Sequence, residues 1–266
     1  MSKRVAVVTG GYGVLGGAIA SGLARAGDAV VILGRRAEPA EAKALAIRKA
    51  GGDASVLIAD VRDQEQLRAA RERLLGERGR VDILVNAAGG NVARARSDDR
   101  PVFDVPADAM DEVLRLNLHG TLIPSLVFGE TMGRQASGCI VNISSMAARR
   151  ALSGVLGYTI AKAGVEGLTA WLAADLARRY GDRVRVNAVA PGFFVTEQNR
   201  AVLLNPDGSY TARARAIIAQ TPMGRFGKPE EIVGAVQWLC GDHGQLHRPA
   251  GPRHSRADAD ARARLA

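Results

Sequence analysis

The feature of this 266-residue chain that most constrains its fold is a regular alternation of short apolar segments with segments of helical spacing. The apolar segments predict strands over residues 4–8, 29–33, 54–59, 81–85, 139–143 and 184–189. Helical spacing covers residues 14–26, 40–50, 64–75, 107–132 and 158–179. Strands that are apolar throughout are buried on both faces, as in parallel sheets, whose crossover connections are helices. The alternation therefore predicts an α/β fold with a doubly wound parallel sheet of the Rossmann type.

Length and composition favour a single domain over residues 1–241. A chain of this size with 47% apolar and 4% aromatic residues can bury one large core but hardly two. The pattern loosens over residues 193–222, where Asn205-Pro206-Asp207-Gly208 is a strong turn signal, and we interpret this segment as a lid. Residues 242–266 have no strand or helix periodicity and are predicted to form an irregular tail.

Composition also argues against several classes of partner. The net charge of +9 does not predict nucleic-acid binding, because the arginines are scattered and no basic stripe is interleaved with aromatic residues. We expect a cytoplasmic protein, since no segment is long and apolar enough to span a bilayer and the first residues lack a signal-peptide hydrophobic region. Cys139 and Cys240 are expected to be free thiols, and no metal site is expected.

Glycines cluster between the first predicted strand and the first predicted helix, at Gly10, Gly11, Gly13 and Gly16. Glycines at this place let the backbone approach a pyrophosphate, whose charge is favoured by the free amides of the helix N-terminus. A tight turn without a ligand is the alternative interpretation.

Tyr158 and Lys162 lie four residues apart on a predicted helix and therefore share a face. A free phenol has a pKa near ~10, and a neighbouring ammonium lowers that pKa by stabilising the phenolate. The pair is thus a candidate acid–base unit, although most such pairs simply form a solvated helix face.

These residues stand in an order that resembles the short-chain dehydrogenase/reductase family over residues 4–240. Thr9 to Gly16 resembles its cofactor turn, residues 86–89 its strand-four motif, and Pro191-Gly192 with Thr196 its nicotinamide-side loop. By this resemblance the residues that bind the cofactor are Gly10, Gly11, Tyr12, Val14, Leu15, Gly16, Arg35, Asp60, Val61, Asn86, Ala87, Ala88, Gly89, Pro191, Gly192 and Thr196.

The resemblance also implies a catalytic tetrad of Asn117, Ser145, Tyr158 and Lys162, with Ser145 thirteen residues before Tyr158. In this interpretation Ser145 hydrogen bonds the substrate oxygen and Tyr158 exchanges its proton. Lys162 holds the cofactor ribose and depresses the pKa of Tyr158, and Asn117 anchors a proton-relay water.

One departure from the family pattern is Val14, where most members carry glycine. That substitution, with residues 191–200 and 221–227, resembles a subgroup of fructuronate reductases and D-mannonate oxidoreductases. The resemblance implies a polyhydroxy sugar acid as substrate, which needs many hydrogen bonds and a cation for its carboxylate. The candidate substrate-binding residues are Asn91, Ser145, Met146, Gln198, Asn199 and Arg200. For Arg200, a role in capping a lid helix or facing water is an equal alternative.

Cofactor choice depends on the end of the second strand, where an acidic residue favours NAD and an arginine attracts the extra phosphate of NADP. The chain has Gly34-Arg35-Arg36 there and no acid, which favours NADP, with Arg35 as the binding residue, while NAD stays open. Asp60 and Val61 would flank the adenine with either cofactor.

Family members close the sheet with a last strand that also builds a tetramer contact, and nothing similar follows Asp242. We therefore expect the last strand to be missing, hypothesise a shifted reading frame over the tail, and expect a homo-oligomer without fixing its size. Two alternatives remain for the function. The chain acts on another polyol, hydroxy acid or 3-oxoacyl substrate, or it is a catalytically silent nucleotide-binding relic.

Overall fold

The computed structural model describes residues 3–197 and 199–241, and they form one parallel sheet covered by helices. The strands are β1 (Val5–Thr9), β2 (Ala29–Gly34), β3 (Asp53–Ile58), β4 (Ile83–Asn86), β5 (Gly138–Ile143) and β6 (Val184–Val189). They lie in the order β3-β2-β1-β4-β5-β6, and every neighbouring pair is parallel. The predicted doubly wound sheet is therefore confirmed. The chain order reverses between β1 and β4, the place where open α/β sheets bind their ligands.

Nine helices surround the sheet within the described ranges. They are α1 (Val14–Arg25), α2 (Ala37–Lys49), α3 (Gln64–Arg78), α4 (Ala107–Leu114), α5 (Gly120–Gln135), α6 (Leu156–Tyr180), α7 (Arg200–Leu203), α8 (Ala212–Ala219) and α9 (Glu231–Cys240). In the part of the chain that the structure describes, no helix has the length and apolar character needed to cross a membrane.

The apolar strands fill two cores, one on each face of the sheet. In β1, Ala6 and Val8 pack into one apolar cluster and Val5 and Val7 into the other. The first cluster includes residues of α1, α2 and α9, and the second residues of α3, α5 and α6. Burial on both faces explains why these strands show no polar alternation.

The helical stretch predicted over residues 107–132 is confirmed. It is divided by a π-helical turn, Arg115–His119, that separates α4 from α5. Asn117 lies in this turn and donates a hydrogen bond from Nδ2 to the carbonyl oxygen of Val113, at 2.9 Å. Apolar periodicity does not report such a turn, because the turn adds only one residue to an otherwise continuous helix.

The predicted lid has a small apolar core of its own. Leu203, Ala214 and Phe226 are buried together, and the rings of Tyr210 and Phe226 meet edge to face. The predicted turn is present, with Gly208 at a φ of 83°. The predicted tail, residues 242–266, lies outside the described residues, and so does the region in which a last strand was expected to be missing.

Candidate active site

The glycine turn after β1 is closed by backbone contacts that leave no room for side chains. A Cβ atom on Gly16 would lie 2.4 Å from the carbonyl oxygen of Gly10, and one on Gly10 would lie 2.9 Å from Cα of Ala88. Gly10 also has a φ of 61°, which favours glycine. Gly13 has extended backbone and α1 begins at Val14, so this turn accommodates the departure from the family pattern.

No side chain caps α1, so the amide groups of its first turn have no side-chain acceptor. Tyr12, Val14 and Leu15 belong to this turn or to the start of the helix. Uncapped amides at a helix N-terminus attract phosphate groups. The turn thus has the form of the predicted anion site, and phosphate binding there stays a prediction.

The motif after β4 lies beside this turn. The hydroxyl oxygen of Thr9 accepts hydrogen bonds from the amides of Ala87 and Ala88, both at 3.1 Å. A Cβ on Gly89 would lie 2.7 Å from Oδ1 of Asn117. Asn86, predicted to bind cofactor, is buried and donates through Nδ2 to Ser125 and Asn142, so its amide joins β4 to α5 and β5.

Ser145, Tyr158 and Lys162 come together beyond the end of β5. The Ser145 hydroxyl lies near enough to the phenol of Tyr158 to lower its pKa, and Lys162 Nζ lies 5.5 Å from the centre of the Tyr158 ring. Lys162 is buried and donates a 2.7 Å hydrogen bond to the carbonyl oxygen of Ile143. Helix α6 carries the phenol and the ammonium, and the segment after β5 carries the serine.

Burial sets the proton affinities of this group. It raises the pKa of the Tyr158 phenol, while the neighbouring hydroxyl of Ser145 acts in the opposite direction. It also lowers the pKa of Lys162 to about 8. The expectation that Lys162 depresses the pKa of Tyr158 stays a prediction, since the net shift in the protein without cofactor is upward and is caused by loss of solvent.

The side chain of Asn117 is committed to the backbone of the β4 motif. Its Oδ1 accepts from the amide of Gly90 at 2.9 Å, and its Nδ2 donates to the carbonyl oxygen of the same residue at 2.7 Å. Asn117 is fully buried. Its predicted role in holding a water stays a prediction, while its contacts show that it fixes the wall of the site.

Two arginines mark the end of β2. Arg35 Nη1 lies 3.7 Å from Oδ2 of Asp60, and the guanidinium carbon of Arg36 lies 5.0 Å from the centre of the Tyr12 ring. That ring fills the space beside Gly34, where a Cβ atom would lie 2.3 Å from it. The carboxylate of Asp60 is also bound by Arg62, whose hydrogen bonds lower its pKa. Sequence reasoning did not assign a role to Arg36 or Arg62.

Val61, predicted to flank the adenine, and the loop at Pro191 and Gly192 have different surroundings. Val61 is buried in the second core cluster, against Gly120. The backbone of Met146 and Pro191 is linked by a hydrogen bond of 3.4 Å, and a Cβ on Gly192 would lie 3.8 Å from the Met146 sulfur. Met146 therefore adjoins the loop, and its predicted contact with substrate stays a prediction.

The candidate substrate residues do not all present free groups. Asn199 binds the amide of Thr196 at 2.7 Å and the carbonyl oxygen of Phe194 at 2.8 Å, so its role as a substrate ligand stays a prediction. Asn91 uses only Oδ1, which accepts from the amide of Val92. Arg200 is exposed at the start of α7, with no ion-pair partner among the described residues. Gln198 lies outside the described residues.

Comparisons with known proteins agree with this geometry. The family described as short chain dehydrogenase matches residues 4–206. The oxidoreductase UxuB of Bacillus subtilis, itself uncharacterized, is 42% identical over 249 residues, which cover 90% of this chain and 88% of that protein.

Two solved structures are also similar. A candidate D-mannonate oxidoreductase from Haemophilus influenzae, with bound NAD, has a TM-score of 0.85 and 35% identity, and the match covers 91% of this chain and 90% of that one. A candidate NAD(P)-dependent gluconate 5-dehydrogenase from Beutenbergia cavernae, with bound NADP, has a TM-score of 0.82 and 37% identity over 93% of each chain. This chain is an oxidoreductase of the short-chain dehydrogenase family.

Proposed function

We propose that this oxidoreductase transfers hydride between a nicotinamide cofactor and a sugar acid of the D-fructuronate/D-mannonate pair. The observation that carries the proposal is the meeting of Tyr158, Ser145 and buried Lys162 beside the glycine turn. A phenol with a serine hydroxyl and an ammonium as neighbours can exchange a proton with a carbonyl or alcohol oxygen.

The residues present fit a dinucleotide. The turn at Gly10 and Gly16 has no space for a Cβ atom, and the first amides of α1 have no side-chain cap, as a pyrophosphate requires. Arg35 and Arg36 stand where the adenosine ribose of a Rossmann-type site lies, and they favour the extra phosphate of NADP. The nicotinamide, when bound, supplies the hydride acceptor or donor.

The chain's own residues handle the proton. In reduction the Tyr158 phenol gives its proton to the substrate oxygen, and in oxidation it takes that proton back. The Ser145 hydroxyl hydrogen bonds the same oxygen and orients it toward the phenol. Lys162 is positioned by the Ile143 carbonyl, and its ammonium stabilises the phenolate that forms during turnover.

A sugar acid is supported by the mouth of the site and by the relatives. Arg200 is an exposed cation without an ion-pair partner in the described part of the chain, and Asn91 has a free amide group. A carboxylate is bound well by arginine, and hydroxyls by amides. The similar structures are described for D-mannonate and gluconate, which are both sugar acids.

The test is a panel of turnover measurements. NADPH and NADH oxidation is followed with D-fructuronate, 5-keto-D-gluconate, a simple ketone and a 3-oxoacyl thioester, while cofactor binding is measured separately by calorimetry. We expect the highest kcat/KM with D-fructuronate. Higher kcat/KM with the thioester or the simple ketone would overturn the substrate, and cofactor binding without turnover on any substrate would identify a silent relic.

A further inference from the structure

Glu166 joins α6 to the segment that carries Ser145. Its Oε1 accepts a hydrogen bond of 3.2 Å from the hydroxyl of Ser144, and both of its carboxylate oxygens lie 3.2 Å from Nε of Arg149. Ser144 directly precedes Ser145, and Arg149 follows the short 3₁₀ turn Met146–Ala148. The carboxylate therefore holds the serine segment at both of its ends.

The same helix carries the partners of Ser145. Tyr158, Lys162 and Glu166 are spaced four residues apart along α6, so they lie on one face. Ser145 is not attached to this face by its own backbone: the amide of Ser144 bonds to Val189, and the Ser145 hydroxyl accepts from the amide of Ala147. The bridge from Glu166 to Ser144 is thus a side-chain tie between the serine segment and α6, in addition to the pair of Glu166 with Arg149 and the bond of Lys162 to the Ile143 carbonyl oxygen.

We infer that Glu166 is a positioning residue that fixes the Ser145 hydroxyl against the Tyr158 phenol. The inference rests on the proposed acid–base role of Tyr158 and assigns Glu166 no contact with substrate or cofactor.

The burial of its two partners, Ser144 and Arg149, indicates which bond of Glu166 contributes more to positioning. Ser144 is 2% exposed, so loss of its acceptor leaves a buried hydroxyl without a partner, and its bond to a carboxylate is charge-assisted. The side chain of Arg149 is 73% exposed, and ion pairs of that exposure contribute little. The positioning therefore depends on the acceptor oxygen of Glu166 more than on its charge.

Because of the groups around the phenol, the pKa of Tyr158 reports on the position of Ser145. The elements packed against Tyr158 present the ammonium of Lys162 and the apolar side chains of Ala95, Ala109 and Val113. The neighbouring hydroxyl of Ser145 is the group that opposes the rise in the pKa of Tyr158 caused by burial. Displacement of Ser145 would therefore raise that pKa further.

The test compares Glu166→Ala and Glu166→Gln with a matched control, Asp175→Asn. Asp175 is another carboxylate of α6 that pairs with arginine, but its two partners, Arg178 and Arg179, lie on α6 itself, so it does not join the helix to another segment. We expect Glu166→Ala to lower kcat about tenfold with the KM for cofactor unchanged, since one hydrogen bond is lost. Glu166→Gln keeps an acceptor for Ser144 and restores most of kcat. Asp175→Asn behaves as the unmodified protein.

A second readout needs no substrate. The pKa of Tyr158 is measured by ultraviolet titration of the phenolate, as the difference between each protein and its Tyr158→Phe derivative. Glu166→Ala is expected to raise it and Glu166→Gln to leave it near its original value. Ser144→Ala removes the same bond from the other side and should repeat the rise if Glu166→Ala does not fold.

The inference is overturned if Glu166→Ala leaves the Tyr158 titration unchanged, or if Glu166→Gln loses as much kcat as Glu166→Ala. These results differ from a failure of the proposed function. If the protein turns over no sugar acid but Glu166→Ala shifts the Tyr158 titration, the positioning role stands. If the protein turns over a sugar acid but Glu166→Ala causes no shift, the positioning role fails.

Discussion

The ammonium nitrogen of Lys162 donates a 2.7 Å hydrogen bond to the carbonyl oxygen of Ile143, the last residue of β5. This bond holds the buried Lys162 side chain against the chain two residues before Ser145. Burial lowers the pKa of Lys162 from 10.5 to about 8, and that change has a consequence for stability.

Lys162→Met is expected to change how stability depends on pH in the protein without cofactor. Below pH 8 the ammonium is charged in the folded and unfolded states, and the cost of burying it is fully present. Between pH 8 and 10.5 the unfolded state binds more protons, so the unfolding free energy rises with pH. Urea denaturation should show the unmodified protein gaining about 3 kcal/mol relative to Lys162→Met over this interval. Parallel pH curves for the two proteins would contradict the burial effect.

Gly16→Ala is expected to abolish cofactor binding. The added methyl group would meet the carbonyl oxygen of Gly10 at 2.4 Å, and a backbone atom cannot move aside without opening the turn. Gly167→Ala is the matched control, because a Cβ there meets nothing within 4 Å on the exposed face of α6. It should bind cofactor normally and stabilise the protein by about 0.5–1 kcal/mol. Calorimetry measures cofactor binding and thermal unfolding measures stability. Equal cofactor binding by the two variants would contradict the role of the glycine turn in holding the cofactor.

The sheet and the pairing of Tyr158 with Lys162 were predictable because they depend on local periodicity and short spacing. The bridge between Ser144 and Glu166 was not, since twenty-two residues separate them and their contact depends on how β5 meets α6. The net rise in the pKa of Tyr158 was not predictable for a related reason. Sequence shows which charges are neighbours but not how much water burial removes.

Cofactor choice is tested at the end of β2. Arg35→Ala and Arg36→Ala are each expected to weaken NADP binding by about tenfold, through loss of a charge-assisted contact with the 2′-phosphate, and to leave NAD binding nearly unchanged. Arg68→Ala removes an arginine that forms an exposed pair within α3, and it controls for net charge. Equal losses for NADP and NAD in the Arg35 and Arg36 variants would exclude a phosphate contact.

Arg213→Gln is expected to loosen the lid. Arg213, in α8, forms an ion pair with Asp98 and donates to the carbonyl oxygen of Ser153, so it ties the lid to the segments before α4 and α6. Both charged side chains are partly exposed, so we expect only a few-fold rise in the KM for substrate, reproduced in the unmodified protein by added salt.

Arg94→Gln is the control for the lid. The exposed ion pair between Arg94 and Asp108 joins the loop that contains Asp98 to α4, and it does not reach the lid. An identical rise in KM for Arg94→Gln and Arg213→Gln would show that the effect comes from net charge at the mouth.

The central claim is that the Tyr158 phenol exchanges the proton of the reacting oxygen, and the most direct measurement is the turnover of Tyr158→Phe with D-fructuronate. The substitution removes one oxygen atom and keeps the ring against Ala95 and Val113. The account predicts that kcat falls by about 10²–10⁴ while NADPH binds with unchanged affinity. A Tyr158→Phe protein that keeps a substantial part of the original kcat would contradict it.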